Sequence, residues 1–206
     1  MPIQLPRRDP LHRFVLETFA DCGRSPTLDE IQVRFSLESV AEANRMVIAL
    51  EQRGAIHRNP NDSTITHAYP FSNDPTPHRV LLAGGTHVYS MCAIDALGMP
   101  FMLRRDARIA SECANCGSAI EVEVRDGHVL AHAPVGTAVW LGEMQDGCVA
   151  ATDLCPDLNF FCSGDHLVAW RSRHPGKSGE QLTFEQAVAR GRQVFEDVLY
   201  GDDDGA

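Results

Sequence analysis

Thiols dominate the reactive side chains of this chain. They are Cys22, Cys92, Cys113, Cys116, Cys148, Cys155 and Cys162. In Tyr89-Ser90-Met91-Cys92-Ala93-Ile94-Asp95-Ala96-Leu97, a helix places Cys92 and Asp95, three residues apart, on one face. Burying an aspartate among apolar residues is costly unless it has a partner or a task. A carboxylate beside a thiol can accept its proton and later return it; the alternative is an aspartate that only caps the local backbone. In Leu154-Cys155-Pro156-Asp157, the proline makes Cys155 part of a turn entering a strand. Such turns present a sulfur outward, although a buried loop thiol is equally compatible. Cys113-Ala114-Asn115-Cys116-Gly117 is half of a zinc-knuckle signature. Zinc needs four ligands, and the usual second Cys-x-x-Cys is missing. Cys148, Cys155 and Cys162 recur at intervals of seven and are the candidates to complete such a site irregularly.

Other chemistries lack their motifs. There is no H-E-x-x-H, no G-x-S-x-G, no G-x-x-x-x-G-K-[ST] and no G-x-G-x-x-G. The net charge of −10, with a single lysine at Lys177, argues against non-specific nucleic-acid binding. An odd number of cysteines without a signal-like start fits a reducing cytoplasm better than a disulfide framework. No apolar run is long enough for a membrane span.

The elements that must position these residues fall into two regions. Residues 1–77 read as helices followed by a hairpin. Leu11, Val15, Leu16 and Phe19 share one helical face, ended by Gly23. Thr27 and Glu30 form a capping-box pattern, with Leu28, Ile31, Val33 and Phe35 on the apolar side. Ser36 or Ser39 opens a third helix whose positions Val40, Ala43, Val47 and Leu50 have helical spacing. Residues 55–58 and 64–69 then make a β-hairpin around Asn59-Pro60-Asn61-Asp62. This is a winged-helix-like pattern. Its third helix carries Glu38, Glu42 and Glu51 and is poorly suited to DNA, which favours a structural or docking role.

Residues 70–77 read as a linker, and residues 78–200 as a mixed, mostly antiparallel β core with helices, giving an α+β protein. Gly84-Gly85 and Asp126-Gly127 mark hairpins. Ser90 to Leu97 reads as a short helix stopped by Gly98 and Pro100, and Leu167 to Trp170 as a strand. Thr183 caps a helix running to Tyr200, and residues 201–206 read as an acidic disordered tail.

With these residues in view, the chain resembles the alkylmercury (organomercurial) lyases. "YSMCAIDALGMP" (89–100) is similar to the family's aromatic-x-x-Cys-Ala-x-Asp-x-Leu-x-x-Pro segment, which carries its first catalytic cysteine and its catalytic aspartate. Those roles fall on Cys92 and Asp95. "DLCPDLNFFCS" (153–163) is similar to the loop with the second catalytic cysteine, which falls on Cys155. "RIASECANCGSAIEVEV" (108–124) carries a third, mainly structural cysteine, which falls on Cys113, and residues 169–191 are similar to the family's C-terminal helix region. Met91 and Pro156 depart from the family pattern, and Cys116, Cys148 and Cys162 are extra.

The resemblance implies protonolytic cleavage of a carbon–mercury bond, releasing a hydrocarbon and leaving Hg(II) on Cys92 and Cys155, with Asp95 completing the metal site and moving the proton. Thiolates suit a soft metal, and a neighbouring base is needed because a free cysteine has a pKa of ~8.5. Two sulfurs sharing one ion must lie within ~4–5 Å of each other. The resemblance implies no organic cofactor. The partners it implies are an organomercurial substrate, low-molecular-weight thiols, and a paired-thiol acceptor such as a mercuric reductase; a nucleic acid or a membrane is not among them. Extra thiols keep two alternatives in view: a metal-binding or metal-sensing protein of the same fold without lyase activity, and a zinc-stabilised regulatory module.

Overall fold

The computed structural model describes residues 5–6, 9–143 and 155–200. The expected residue Cys148 and the acidic tail, residues 201–206, lie outside them. The N-terminal region follows its capping signals. Helix α1 (Pro10–Cys22) starts on the Asp9 side chain and ends at Gly23 with φ 72°. Helix α2 (Leu28–Arg34) has the full Thr27/Glu30 capping box. Helix α3 (Val40–Gln52) is capped by Ser39 and buries Ala43, Val47 and Leu50. One expectation fails here: Val33 is 79% exposed, while Ile31 is buried and Leu28 packs partly against the core. The hairpin is β1 (Ile56–Arg58) against β2 (Ile65–Ala68).

The segment 70–77 is not a linker. It contains β3 (Phe71–Ser72), which pairs with β2 on one side and β5 (His87–Ser90) on the other. Tyr69 and Phe71 are buried, and Phe71 stacks on Phe19 with ring centroids 5.1 Å apart. The turn-forming composition of this stretch concealed Phe71, a large aromatic that belongs to the core. Through β3, the hairpin continues into β4 (His78–Leu82), β6 (Ala107–Glu112), β7 (Ala119–Arg125) and β8 (His128–Ala133). The described strands thus form an eight-stranded sheet ordered β1-β2-β3-β5-β4-β6-β7-β8. A second sheet, β10-β9-β11, joins β9 (Ala138–Gly142), β10 (Phe160–Phe161) and β11 (Gly179–Thr183). Every pairing among the described residues is antiparallel. The α+β class and the helices-then-sheet order match the sequence reading.

Two helices depart from expectation. Helix α4 (Ala93–Leu103) runs through Gly98 and Pro100 instead of stopping there, and all eleven of its residues are buried. Proline costs a helix one backbone bond; surrounding packing outweighs that loss here. The helix ends where Arg104 takes the left-handed conformation, φ 51°. Residues 167–170 form not a strand but the middle of α5 (Gly164–Arg173), nucleated by the Ser163 cap on the His166 N–H. The last helix, α6 (Phe184–Phe195), has the Thr183/Gln186 capping box and ends before the expected Tyr200. No helix among the described residues is long and apolar enough to cross a membrane.

Helices α4 and α6 touch backbone to backbone. A Cβ at Gly191 would meet the Gly98 N at 2.8 Å and the Ile94 carbonyl oxygen at 3.0 Å. Neither neighbour is a side chain that can swing away. Gly191→Ala is therefore expected to destabilise the fold by ~1–3 kcal/mol, the usual range for overpacking. At ~2–4 °C per kcal/mol for a chain of this size, a thermal melt should show a drop of several degrees. An unchanged midpoint would mean that the two helices part easily.

Candidate active site

Cys92 does not sit inside α4 as the i, i+3 reading supposed. It is the N-cap, with extended backbone (φ −156°, ψ 176°), and its Sγ accepts the Asp95 backbone N–H at 3.4 Å. The cap residue must leave helical geometry so that its side chain can reach the first-turn N–H groups. Asp95 is in the first turn, so both groups stand at the positive end of the helix dipole. The Ser90 hydroxyl donates to the Cys92 carbonyl at 2.9 Å and fixes the entry into the cap.

Cys155 opens a short 3-10 turn, Cys155–Asp157. Its sulfur does not point outward as a Cys-Pro turn suggested; the residue is buried. The turn is tied down at several points. Leu158 donates its N–H to the Cys155 carbonyl at 3.1 Å, and the Leu158 carbonyl accepts the Ala93 N–H at 2.9 Å. Asn159 Nδ2 donates to the Pro156 carbonyl at 2.7 Å, and Lys177 pairs with Asp157. The Ala93–Leu158 bond matters most, because it seats the turn on the first residue of α4. One of the orphan N–H groups at the helix start thereby orients the second thiol.

The result is a buried cluster in which the ligand atoms of Cys92, Asp95 and Cys155 all lie within 4.8 Å of one another. All three expected residues meet there. Burial governs their titration. The Cys92 thiol is pushed up by desolvation, by its hydrogen bond with Cys155 and by the nearby Asp95 charge. Desolvation raises the Asp95 carboxyl to about 7, opposed only by its hydrogen bond with Cys92. Asp95 Oδ2 has no hydrogen-bond partner in the structure. A carboxyl that titrates near neutrality and keeps one oxygen uncommitted can both take and give a proton.

Tyr69 escaped the sequence reading. Its hydroxyl is buried without a well-aligned partner, and burial together with the neighbouring Cys155, Asp95 and Cys92 charges raises its pKa and keeps it neutral. The sequence marks it only as the last residue of the hairpin strand 64–69, with no link to the thiols. Cys113, on which the resemblance places a mainly structural role, belongs to a second group with Cys116, Cys162 and His166.

Known proteins resemble this chain in both sequence and fold. A family model described as alkylmercury lyase matches residues 71–196. The alkylmercury lyase of Bacillus cereus is 31% identical over 118 residues, which is 57% of this chain and 53% of that protein. That of Pseudomonas putida is 32% identical over 124 residues, 60% of this chain and 57% of its own. The chain spans about half the length of the curated relatives it matches. A solved structure, the mercury-bound form of MerB2, superposes with a TM-score of 0.79 at 28% identity, covering 95% of this chain and 93% of that one.

The dry carboxyl has a measurable consequence for stability. Asp95 titrates at about 7 in the fold against an ordinary value of 3.8, so folding favours its protonated form. That contribution is fully present below the unfolded value and is lost as pH rises through about 7. Asp95→Asn keeps the shape without the ionisation. It should be more stable than the parent at about pH 8, by up to a few kcal/mol, and the difference should shrink toward about pH 4. Chemical denaturation at both pH values measures this. A variant that loses stability at the higher pH would mean that the carboxylate has a stabilising partner.

Proposed function

Because the chain belongs to the alkylmercury lyase family, we propose that it is an organomercurial lyase whose reaction centre is Cys92, Asp95 and Cys155. The convergence of two thiols and one near-neutral carboxyl in a single dry cluster carries this reading. The substrate is R–Hg–X, with X a thiolate or similar ligand. Cys155 exchanges for X, and X leaves as HX with the thiol proton. Cys92, protonated at rest because its thiolate is costly to bury, then binds the same mercury as its proton passes to Asp95. Soft mercury supplies the positive charge that makes a buried thiolate favourable.

With both sulfurs on the metal, the electron pair of the C–Hg bond goes to carbon. Carbon takes the proton from Asp95 and departs as R–H. Mercury stays divalent, so no oxidant or reductant is consumed. Asp95 ends as a carboxylate and Hg(II) ends on Cys92 and Cys155. An external thiol, or a partner protein with paired thiols, removes the ion by exchange. Tyr69, neutral and beside Cys155, helps to exclude water and offers a hydroxyl to the sulfur when it carries charge.

The test is anaerobic turnover of phenylmercury with excess thiol, following benzene. Cys92→Ser and Cys155→Ser should each lose cleavage. Asp95→Asn should keep mercury binding while benzene release falls by roughly 10²–10⁴-fold, the usual loss for a general acid–base group. Benzene release within about threefold of the parent in folded Asp95→Asn would end the proton-transfer role. A parent protein that binds mercury stoichiometrically and releases no benzene would instead be a thiol-based metal binder.

A further inference from the structure

The second thiol group lies outside this reaction centre. Cys113 and Cys116 come from the loop between β6 and β7, Cys162 follows β10, and His166 stands in the first turn of α5. Their four ligand atoms all lie within 4.8 Å of one another. Cys116 and Cys162 sulfurs are 3.8 Å apart, far beyond the ~2 Å of a disulfide. His166 Nδ1 is 3.1 Å from the Cys162 sulfur and 3.7 Å from that of Cys113. A tetrahedron with metal–sulfur bonds of ~2.3 Å has sulfur–sulfur edges of ~3.8 Å, and slightly shorter sulfur–nitrogen edges.

The backbone turns tightly between Cys113 and Gly117. The Cys113 carbonyl accepts N–H groups from Cys116 at 3.2 Å and Gly117 at 2.8 Å, and Gly117 takes φ 74° so that the chain can turn back. The Ser118 hydroxyl lies 3.1 Å from the Cys116 sulfur and helps to fix the direction of that ligand.

We propose that Cys113, Cys116, Cys162 and His166 form a resident tetrahedral Cys3His site for a zinc-like divalent cation. All four positions are filled by protein, so the site is closed and structural; a catalytic zinc keeps one position open. Its mechanical effect follows from where the ligands lie. The metal clamps the β6–β7 loop of the large sheet to β10 and α5 beside the small sheet. The same seam carries the bond from the Ala114 N–H to the Phe160 carbonyl at 3.0 Å, and an Arg173–Asn115 contact. Residues 155–159 lead directly into β10, so the clamp steadies the segment that holds Cys155. The inference stands on the second group's own geometry and does not depend on the lyase reading.

The experiment is metal analysis of full-length protein purified anaerobically from zinc-containing medium, with Co(II) replacement as a spectroscopic probe. The parent should hold about one zinc per chain, and Co(II) should give thiolate-to-metal charge-transfer bands and the intense visible bands of a tetrahedral site. Cys162→Ser should cut zinc content at least tenfold, whereas Cys92→Ser and Cys155→Ser should retain it. Because Cys162→Ser can fail to fold, the parent's own zinc content and cobalt spectrum decide independently. Parent protein with only trace zinc and no cobalt–thiolate band overturns the proposal. So does a Cys116–Cys162 disulfide seen by mass in the anaerobic preparation, or zinc that leaves with Cys155→Ser and stays with Cys162→Ser.

Discussion

Desolvation at the start of α4 sets the terms for everything around it. The helix is buried along its whole length, so its first turn, with Cys92 and Asp95, is closed off from water. In water an aspartate would be a spectator carboxylate, ionised and weakly basic. Here the loss of hydration raises it to about 7 and holds the Cys92 thiol protonated. The helix dipole favours negative charge at the same place, but an effect of about 0.3–1 kcal/mol at exposed sites is too small to offset burial. Asp95 is therefore poised between its neutral and charged forms beside a protonated Cys92 until something positive enters. A soft organometal cation is the kind of guest that turns this cost into binding, because it lets a thiolate form where none could stand alone.

Such a site needs rigid walls, and the topology supplies them. The α4–α6 contact at Gly98 and Gly191 leaves no room for side chains between the two helices, which locks the angle at which the first turn meets the sheets. The Cys155 turn then hangs from the Ala93 N–H on one side and from the small sheet on the other, where Trp140 donates its N–H to the Asn159 carbonyl at 3.1 Å. A thiol on an untethered loop would have to be ordered at each encounter with substrate. Tethering it in advance removes that entropy cost.

Local signals in the sequence were enough for the N-terminal helices, the hairpins and α6, because caps, turn residues and helical periodicity act within a few residues. Cys92, Asp95 and Cys155 were legible through their motifs. Their geometry was not: a cap and an interior helical position differ by one residue's φ and ψ, and periodicity does not resolve that. The failures share a cause. Gly98, Pro100 and residues 70–77 carry breaker residues whose local preference was overridden by long-range packing against Gly191, Phe19 and the edge of β5. The strand expected at Leu167–Trp170 followed its apolar residues and missed the Ser163 cap just upstream. His166 was overlooked because no pattern linked it to a Cys-x-x-Cys fifty residues earlier. The Cys162-x-x-x-His166 spacing, which brings two ligands together across a helix start, was the available signal.

Six of the seven cysteines lie in described parts of the chain, and five of those six fall into two groups of opposite character. Cys92 and Cys155 are buried with a carboxyl as their third member; in the other group Cys113 is buried, Cys116 exposed and Cys162 half-buried, with an imidazole as the fourth. The difference fits the two roles proposed for them. A centre that takes up and releases a metal needs an incomplete ligand set and a proton donor, and both must be shielded so that water does not compete. A centre that holds a metal for good needs four ligands in place and tolerates solvent at its rim. The carboxyl and the imidazole separate the two roles: Asp95 can carry a proton near neutrality, while His166 offers a fixed nitrogen lone pair. The strand β10 lies between Cys155 and Cys162 in the chain and so ties the position of one group to that of the other.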